Sequence, residues 1–377
     1  MSIHKKTIGL LGGGQLARMI ALKARQMGLK TIVLCEHKNE PAALVASEVI
    51  FGSLKSEHDL KELISKADIV TFESEFIPAA LLRKSMAGFS AIRRRNCIAP
   101  SLDCLAGLQD RLRQKEWLCD YNIPTLDHVK INSKEDINLA FRAFEQKIVF
   151  KRRIGGYDGY GTFIVKNQNE LNQFRTHFKG EESQFIIEPF RTFKSEKSLI
   201  FARTMKGEIC VLPMITSVQK NNQCDYVVGP TSHPKQKKLI EKIKFFLNDI
   251  NYVGVIAFEL FDFGNELVVN EIAPRVHNTG HFSQEALNVD QFELHLRCLL
   301  GLKLPKIVLK QPAFVMVNLL GQSARHPAIK TFPSGALHRY EKLENRPRRK
   351  MGHINYIGKN KKQLLELALK ERKGILI

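Results

Sequence analysis

The stretch YVGVIAFELFDFGNELVVNEIAPR, residues 252–275, contains two apolar runs separated by the turn signal DFGN. Apolar runs of this length, bounded by turn residues, are typical of strands, so we predict an antiparallel hairpin. A two-residue turn would pair Glu259 with Asn270, whereas a three-residue turn would pair Glu259 with Glu271. Either register brings two carboxylates and a carboxamide together.

Two carboxylates in such a hairpin indicate a metal site. Anions about 4 Å apart repel each other by roughly 4 kcal/mol at an effective dielectric near 20. A hard divalent cation relieves this repulsion, and magnesium prefers oxygen ligands together with substrate phosphates. Arg275 and His277 follow the second strand and would face a phosphate or another oxyanion beyond the metal. The alternative is an exposed hairpin whose acids are incidental.

A glycine-rich loop occurs earlier, in AFEQKIVFKRRIGGYDGYGTFIV, residues 143–165. We predict a strand, a loop and a second strand, with Lys151 at the end of the first strand, where its ammonium can reach a phosphate. The loop glycines would let backbone amides cover that phosphate. The alternative is a glycine-rich hairpin with a surface lysine. The preceding segment, residues 104–125, predicts a single helix that ends before Pro124.

Two glutamates lie at the ends of the next strands. Residues 185–187 form a predicted strand that ends on Glu188, and Glu196 opens the strand after it. A carboxylate at a strand end, beside an apolar surface, can accept hydrogen bonds from an adenine amine or from ribose hydroxyls. Each glutamate alone is also compatible with a solvated sheet edge.

The N-terminal segment predicts an alternating α/β domain. Residues 6–36 contain a strand at 8–11, a glycine turn, a helix with apolar residues at helical spacing, and a strand at 31–35. A third unit follows in ADIVTFESEFIP, residues 67–78. This pattern favours a parallel sheet, and the glycines lie at the carboxyl end of its first strand, where such sheets bind ligands.

The turn GGGQL, residues 12–16, is compatible with a phosphate cradle, because a helix N-terminus presents free amides and a favourable dipole. It is equally compatible with a purely structural turn. The pattern departs from the dinucleotide motif GxGxxG, since Ala17 stands where the third glycine should be. A nicotinamide dehydrogenase therefore remains possible but is not favoured.

Composition excludes several classes of protein. The 377 residues are 44% hydrophobic and 25% charged, which is typical of globular proteins. The longest uncharged apolar runs, 252–258 and 313–320, are as short as strands, so we predict no membrane partner. The seven cysteines contain no CxxC pair, which favours free thiols in a cytoplasmic protein.

The net charge of +20 is concentrated in part at residues 93–95, 151–153, 235–238 and 346–350. Such clusters form either a solvated basic surface or a surface that binds polyanions. No nucleic-acid-binding motif accompanies them, so we predict phosphorylated small molecules rather than nucleic acid as partners.

The order of these motifs resembles the ATP-grasp superfamily. Within it, the segments GGGQLARM, TFESEFIP, QDRLRQKEWL, NEIAPRVHNTGH, QFELHLR and RPRRKMGHIN are similar to those of the 5-(carboxyamino)imidazole ribonucleotide synthases of purine biosynthesis. The resemblance extends in order from about residue 7 to 355. The related formate-dependent phosphoribosylglycinamide formyltransferases share the ATP-grasp motifs but lack the RKMGH segment.

The resemblance implies a fold of the α/β and α+β classes. It places a Rossmann-like, doubly wound pre-ATP-grasp domain at 1–106 and an ATP-grasp domain at 107–308, with a lid at about 122–190. A small C-terminal domain would follow at 309–377. Members of the family are expected to be cytoplasmic homodimers, although nothing in the sequence shows an interface.

The resemblance also implies a reaction. Bicarbonate would attack ATP to give carboxyphosphate and ADP, and the amine of 5-aminoimidazole ribonucleotide would then accept the carboxyl group. Mg²⁺ is the implied cofactor. Two rival classes are a nucleotide-binding protein that has lost catalysis and a basic protein that binds nucleic acid.

Residue roles follow from the same resemblance. The implied metal ligands are Glu259 and Glu271, and the implied catalytic residues are Arg275, His277 and Asp158. The implied ATP contacts are Arg111, Lys151, Gly156, Tyr157, Asp158, Gly159, Tyr160, Gly161, Thr162, Glu188, Pro189, Phe190, Arg191, Glu196, Gln219, Asn270 and Glu271. The implied ribonucleotide contacts are Gly14, Gln15, Leu16, Glu73, Tyr157, Asp158, Arg275, His277, Asn278, Arg346 and Lys350.

Four positions depart from the family pattern. Tyr160 and Thr162 stand where the flap usually has a basic residue and a glutamine. Gln219 aligns with a histidine among the ATP contacts, and Arg348 replaces a glycine. The change at Tyr160 removes a cation from the region of the reacting phosphates. The metal and substrate residues are present, so we expect an active enzyme.

Overall fold

The computed structural model describes residues 6–90, 97–156, 159–322, 328–329 and 332–376. Two predicted site residues, Tyr157 and Asp158, lie outside the described residues, as does the basic cluster at 93–95.

The N-terminal unit is a parallel sheet with strand order β3-β2-β1-β4 and helices on both faces. The order reverses direction at β1, which is the topological switch point of a doubly wound sheet. The sequence prediction for this unit is therefore confirmed. Its elements are β1 Thr7–Leu11, α1 Gln15–Gln26, β2 Lys30–Cys35, β3 Glu48–Phe51, α2 Glu57–Lys66, β4 Ile69–Phe72 and α3 Ala79–Ser85.

The segment that predicts one helix before Pro124 forms two, α4 (Leu102–Gln109) and α5 (Arg111–Asp120), so that prediction is wrong. Asp110 separates them with an extended backbone, φ −100° and ψ 115°. Its carboxylate accepts a hydrogen bond from the amide of Leu112 at 2.9 Å and also pairs with Arg153. Because the Asp110 side chain caps the N-terminus of α5, it favours a helix start at this point over continuation of α4.

A four-stranded antiparallel sheet, order β5-β8-β6-β7, forms the lid. Its core is built largely from phenylalanines, whose rings stack or meet edge to face, such as Phe150 and Phe174 with centroids 3.6 Å apart. The lid elements are β5 Val129–Lys130, α6 Lys134–Ala143, β6 Ile148–Arg152, β7 Thr162–Val165, α7 Gln168–His177, a 3-10 turn at Glu182–Gln184 and β8 Phe185–Pro189.

The largest sheet has the order β14-β13-β9-β11-β12-β15-β18-β17, with β10 paired to β9. Its strands are β9 Ser195–Arg203, β10 Ile209–Val211, β11 Ile215–Lys220, β12 Gln223–Gly229, β13 Gly254–Asp262, β14 Leu267–Ala273, β15 Ala313–Leu320, β17 Ala336–Arg339 and β18 Lys350–Gly358. The remaining elements are α8 Gln236–Asp249, a 3-10 turn at Asn278–Gly280, α9 Ser283–Ala286, α10 Gln291–Leu299, β16 Ala328–Ile329, α11 Lys361–Arg372 and β19 Ile375–Leu376.

The C-terminal strands continue this large sheet. β12 pairs with β15, and β15 pairs with β18. The C-terminal segment therefore shares a sheet with the grasp strands, at the end of the strand order opposite the β13–β14 hairpin. No helix within the described part of the chain is long and apolar enough to cross a membrane.

Asp110 generates a stability prediction. We expect Asp110→Ala to lower the free energy of unfolding by about 2 kcal/mol, because it removes a helix cap worth about 1 kcal/mol and a partly buried ion pair. Asp110→Asn should cost about half as much, since asparagine retains the cap. Urea denaturation measures both values.

Ser101→Ala is the matched control, because Ser101 caps α4 without an ion pair. A loss in Asp110→Ala no larger than the loss in Ser101→Ala would contradict the role assigned to the Arg153 pair.

Candidate active site

The β13–β14 hairpin places Glu259 directly opposite Glu271. At its tip, the amide of Phe263 donates to the carbonyl of Glu266 at 3.0 Å, so the turn has two residues. That turn alone would pair Glu259 with Asn270. A register shift along the ladder makes Asn270 the extra residue of a β-bulge, which brings Glu271 opposite Glu259. The hairpin therefore combines a two-residue turn with the Glu259–Glu271 pair, which without the bulge would require a three-residue turn.

Arg111 joins Glu271 to the glycine-rich loop. Its guanidinium Nη2 donates to both carboxylate oxygens of Glu271, at 2.8 and 2.9 Å, and to the carbonyl of Gly156 at 3.2 Å. Nη1 donates to the carbonyl of Arg152 at 2.7 Å. Burial acts to lower the pKa of Arg111, but Glu271 and other nearby carboxylates raise it above its ordinary value. The break between α4 and α5 makes Arg111 the first residue of a helix and directs it into the site.

Lys151 and Glu188 form a second buried group. The Lys151 ammonium lies 2.6 Å from Glu188 Oε2 and donates to Asn270 Oδ1 at 2.6 Å. The other oxygen of Glu188 lies 2.9 Å from the ammonium of Lys115. Burial acts to raise the pKa of Glu188, but the two lysines outweigh it and lower that pKa to about 2. The Glu188 carboxylate is therefore engaged by lysines, and Lys115 is a member of the site that sequence reasoning missed.

Glu196 and Glu259 lie near each other with different electrostatic surroundings. Burial and the charge of Glu259 raise the pKa of Glu196 to about 7, although Glu196 also has a hydrogen bond with Gln219. Burial acts to raise the pKa of Glu259 as well, but the contact with His277, whose Nε2 lies 3.3 Å from Oε1, lowers it. Cations on Arg275 and further away add to that lowering.

Arg275 is held by a residue of the N-terminal unit. Its Nε donates to Glu75 Oε2 at 2.5 Å, and its Nη2 donates to Oε1 at 3.1 Å. Burial acts to raise the pKa of Glu75, and the neighbouring guanidinium lowers it below the ordinary value. Sequence reasoning selected Glu73 from the segment TFESEFIP and missed Glu75. The only signal for Glu75 is that it is the second acid after the same strand.

His277 is fixed on both sides of its ring. Nδ1 lies 2.8 Å from Thr279 Oγ1, and that hydroxyl lies 3.0 Å from Ser198 Oγ. The backbone amide of His277 donates to Gln291 Oε1 at 2.9 Å. These buried contacts hold the imidazole against Glu259, so the structure brings His277, Glu259 and Glu271 to one place.

The GGGQL turn is engaged by Glu73. The carboxylate accepts hydrogen bonds from the amides of Gly14 at 2.5 Å and Ala17 at 3.1 Å, at the N-terminus of α1. A side chain at Gly14 would collide with this carboxylate, since an added Cβ would lie 2.5 Å from Oε1. Two of the amides that could cradle a phosphate therefore bind an acid of the protein. Gln15 and Leu16 begin the helix beside them.

The C-terminal candidates occupy different surroundings. Lys350 opens β18 and is close enough to Glu259 to lower its pKa. Asn278 is buried in the 3-10 turn, and its carboxamide atoms have no hydrogen-bond partner among the described residues. Arg346 is an exposed residue that pairs with Glu344 at 2.5 Å.

Arg348 has the left-handed backbone conformation that favours glycine, with φ +69°. This explains the glycine of the family pattern at that position. The Arg348 side chain donates to the carbonyl of Asn221 at 2.6 Å, at the tip of the β11–β12 hairpin. Arg348 therefore keeps the left-handed backbone conformation of the glycine, and its side chain adds a contact with the β11–β12 hairpin.

The described part of the flap meets the same hairpin tip. Gly159 has φ +77°, and a Cβ added to it would lie 2.4 Å from the Cβ of Asn222. Gly161 has φ +81°, and Thr162 pairs with Lys151 on β6. Tyr160 is 70% exposed.

The remaining predicted ATP contacts follow β8. Pro189 ends this strand, and the ring centroid of Phe190 lies 4.6 Å from the Lys166 ammonium. The Arg191 guanidinium lies 4.0 Å from the centroid of Phe263 and pairs with Glu266 at 2.9 Å. Aromatic faces and cations therefore lie together after β8, and Arg191 contacts the tip of the β13–β14 hairpin.

The residues fit a magnesium ion that is shared with phosphates. Glu259 and Glu271 provide carboxylate oxygens from adjacent strands, with the Asn270 carboxamide between them. Among the described residues, no group of three or more His, Cys, Asp or Glu side chains could hold a metal alone. Further ligands would come from phosphates and water, which is the usual arrangement for magnesium.

Three family models match successive parts of the chain. The ribonucleotide synthetase preATP-grasp domain matches residues 5–109, and the ATP-grasp domain matches residues 116–292. The phosphoribosylaminoimidazole carboxylase C-terminal domain matches residues 314–367. The exact domain boundaries at 106 and 308 stay a prediction.

Proteins of known name are similar over nearly the whole chain. N5-carboxyaminoimidazole ribonucleotide synthase of Staphylococcus haemolyticus is 32% identical over 372 residues, which cover 98% of this chain and 97% of the relative. The synthase of Synechococcus elongatus is also 32% identical, over 92% of this chain and 88% of the relative.

Solved structures agree with these relatives. A Staphylococcus aureus N5-carboxyaminoimidazole synthetase complexed with ADP superposes with a TM-score of 0.87 and 31% identity, over 97% of each chain. An Aspergillus clavatus synthase in complex with ADP and 5-aminoimidazole ribonucleotide has a TM-score of 0.84 and 25% identity, over 97% of this chain and 99% of that chain.

The pKa of Glu196 generates a pH prediction. Because the folded-state pKa of about 7 exceeds the ordinary value of 4.5, the folded protein binds this proton more tightly than the unfolded chain does. The resulting stability is present below pH 4.5 and is lost as the pH rises toward 7. In metal-free buffer with EDTA, Glu196→Gln should therefore raise the melting temperature more at pH 8 than at pH 5.

Glu188→Gln is the control of opposite sign. The pKa of Glu188 is lowered to about 2, so its contribution to stability is present above pH 4.5 and should be missing from this variant at pH 8. Melting temperatures of Glu196→Gln and Glu188→Gln, measured at pH 5 and pH 8, test these expectations. An equal effect of Glu196→Gln at pH 5 and pH 8 would contradict the raised pKa.

Proposed function

This chain belongs to the N5-carboxyaminoimidazole ribonucleotide synthase family, and on that premise we propose that it carboxylates 5-aminoimidazole ribonucleotide with bicarbonate and ATP. The products are N5-carboxyaminoimidazole ribonucleotide, ADP and phosphate, in purine biosynthesis. The observation that carries the proposal is the pairing of Glu259 with Glu271 beside the cations Arg111 and Lys151.

The reaction proceeds in two steps. A bicarbonate oxygen attacks the γ-phosphorus of ATP, and the bond to ADP breaks, which gives carboxyphosphate. The amine nitrogen of the ribonucleotide then forms a bond to the carboxyl carbon. The carbon–oxygen bond to phosphate breaks, and the departing phosphate accepts the amine proton. Both steps depend mainly on positioning and on compensation of charge.

Two side chains would hold the ATP phosphates. The Lys151 ammonium has three hydrogens, and its contacts with Glu188 and Asn270 use two of them, so a third is available in number for a phosphate oxygen. The Arg111 guanidinium faces Glu271 and the loop carbonyls at the same place. Magnesium, when bound to Glu259 and Glu271, would offset the negative charge of the phosphates.

Arg275 and His277 would act on the carboxyphosphate and on the attacking amine. Glu75 fixes the plane of the Arg275 guanidinium by two hydrogen bonds, and Thr279 fixes the imidazole of His277. Fixed donors cost little reorganisation when charge develops on an oxyanion. Arg275 and His277 would thus provide preorganised hydrogen-bond donors for an oxyanion of the carboxyphosphate, next to Glu259 and Glu271.

The ribonucleotide would lie between the N-terminal unit and β18. The carboxylate of Glu73, which follows β4 and contacts the N-terminus of α1, can accept hydrogen bonds from ribose hydroxyls. Lys350 can bind the phosphate of the ribonucleotide. The resemblance adds Tyr157, Asp158 and Arg346 to these contacts. We also infer a cytoplasmic homodimer, and the seven cysteines, all free thiols, suit a reducing compartment. Light scattering during size-exclusion chromatography would test the dimer.

An ADP-release assay with each substrate omitted in turn tests the proposed function. We expect turnover to require both bicarbonate and 5-aminoimidazole ribonucleotide, with the carboxylated product confirmed by mass spectrometry. Productive use of formate with glycinamide ribonucleotide would instead indicate the related formyltransferase. Salt-sensitive binding of RNA or DNA without turnover would overturn the enzyme proposal.

Glu271→Gln should reduce kcat by about a hundredfold, equivalent to about 2.7 kcal/mol, while the protein stays folded. The substitution keeps the shape of the side chain but removes one of the two anionic metal ligands and the charge that faces Arg111. Steady-state kinetics at saturating magnesium provide the measurement. Glu241→Gln, an exposed change on α8, is the control, and near-normal turnover of Glu271→Gln would place the metal elsewhere.

Tyr160 generates a prediction about coupling. A phenol cannot supply the positive charge of a lysine or an arginine, so another cation must serve the reacting phosphates. Arg152 is engaged by Gln184 at 2.7 Å and Glu181 at 3.2 Å. Lys220 is the exposed last residue of β11, one residue before the hairpin tip that meets the flap. We therefore expect Lys220 to compensate.

The ratio of ADP to carboxylated product should be near one in the parent and unchanged in Tyr160→Lys. Lys220→Met should raise the ratio, because carboxyphosphate would reach water before the amine captures it. One positioned charged donor typically contributes about a hundredfold to the rate. An increase of about that size in the turnover of Tyr160→Lys over the parent would show that the parent site is weakened.

A further inference from the structure

Lys115 is a buried lysine that none of the roles above uses. It lies on α5 and is 2% exposed, and its ammonium is 2.9 Å from Glu188 Oε1. The same ammonium donates to Thr125 Oγ1 at 2.7 Å and to the carbonyl of Val269 at 3.4 Å. The ammonium therefore has two hydrogen bonds and one ion pair inside the protein. Its distance from solvent means that it cannot bind a ligand directly.

The charges of this group do not cancel. Lys115 and Lys151 each carry a positive charge, and they share the single negative charge of Glu188, which is 1% exposed. Among these three side chains, two positive charges face one negative charge in buried surroundings, where charges interact strongly. Lys151 is the member nearest the site and is 12% exposed. The excess charge is therefore presented at Lys151.

We propose that Lys115 is a positioning residue that keeps Glu188 from neutralising Lys151, and so maintains the positive charge that binds the nucleotide phosphates. The proposal rests on the nucleotide site of the proposed function. Lys115 acts through Glu188 and Lys151 and does not contact the nucleotide. In its absence, Glu188 and Lys151 become a neutral ion pair, and the attraction of the site for a phosphate falls.

A merely structural role predicts something different. Lys115 also connects α5 to Thr125 and to β14, and such an anchor would contribute to stability alone. A protein that loses only the anchor should melt at a lower temperature but bind nucleotide normally while it is folded. The affinity for nucleotide therefore separates the two roles.

The first variant is Lys115→Met, which keeps much of the side-chain volume and removes the charge. We expect the dissociation constant for ADP, measured by titration calorimetry with magnesium chloride, to rise by at least about tenfold. The KM for 5-aminoimidazole ribonucleotide should stay within about twofold of the parent value, because the change affects only the phosphate site.

The second variant is the double substitution Lys115→Met with Glu188→Gln. It removes one positive and one negative charge, so Lys151 keeps an uncompensated charge as in the parent. We expect its ADP affinity to lie within about threefold of that of Glu188→Gln alone, because Lys115 acts on Lys151 only through Glu188 and any direct contact of Glu188 with the nucleotide is missing from both variants. The double variant also decides the question if Lys115→Met alone does not fold, because it removes the buried ammonium together with the buried carboxylate that it contacts.

Lys197→Met is the matched control. Lys197 is another buried lysine, 3.3 Å from Asp262, and it is adjacent to Glu196 on β9, so its side chain points to the opposite face of the sheet. We expect a lower melting temperature and unchanged ADP affinity. It shows what the loss of a buried lysine does to stability alone.

Normal ADP affinity in folded Lys115→Met would overturn the proposal, as would ADP binding in the double variant at least about tenfold weaker than in Glu188→Gln alone. Both results are read against a parent protein that binds ADP and turns over with 5-aminoimidazole ribonucleotide. A parent that binds no ADP would instead contradict the proposed function.

Discussion

The repulsion between Glu259 and Glu271 is the constraint on which the rest of the site depends. A β-bulge at Asn270 places the two carboxylates opposite each other, where like charges are unfavourable. Each carboxylate is contacted by a residue from outside the hairpin, Glu271 by Arg111 and Glu259 by His277. An arrangement of this kind is suited to a divalent cation, which neutralises both anions at once.

Ion pairs connect the separate structural units at this point. Lys115 of α5 pairs with Glu188 of the lid, Arg111 of α5 pairs with Glu271 of the hairpin, and Glu75 of the N-terminal unit pairs with Arg275. Buried charges are costly unless they are paired, so these contacts define how the units must meet. In the proposed function, Arg111 and the Lys151–Glu188 pair lie beside the phosphates of the nucleotide. The structure thus uses functional side chains to fix its own assembly around the site.

The departures from the family pattern have local explanations. The glycine expected at Arg348 corresponds to a left-handed backbone, which the arginine adopts while its side chain bonds to Asn221. The hairpin tip beside Asn221 also meets Gly159 of the flap. Changes in the flap, the hairpin and the C-terminal segment are therefore close in space, and each must be interpreted together with the others.

The sequence by itself determined the elements and the chemistry of the site. The parallel N-terminal sheet, the 252–275 hairpin and the position of Lys151 follow from local patterns, because periodicity and turn residues act over short distances. The family follows from the resemblance of a series of motifs in order. The tertiary structure decided the bulge at Asn270, the helix break at Asp110, and the pairing of Glu75 with Arg275 and of Lys115 with Glu188. These depend on contacts between residues up to 200 positions apart, which no local pattern specifies.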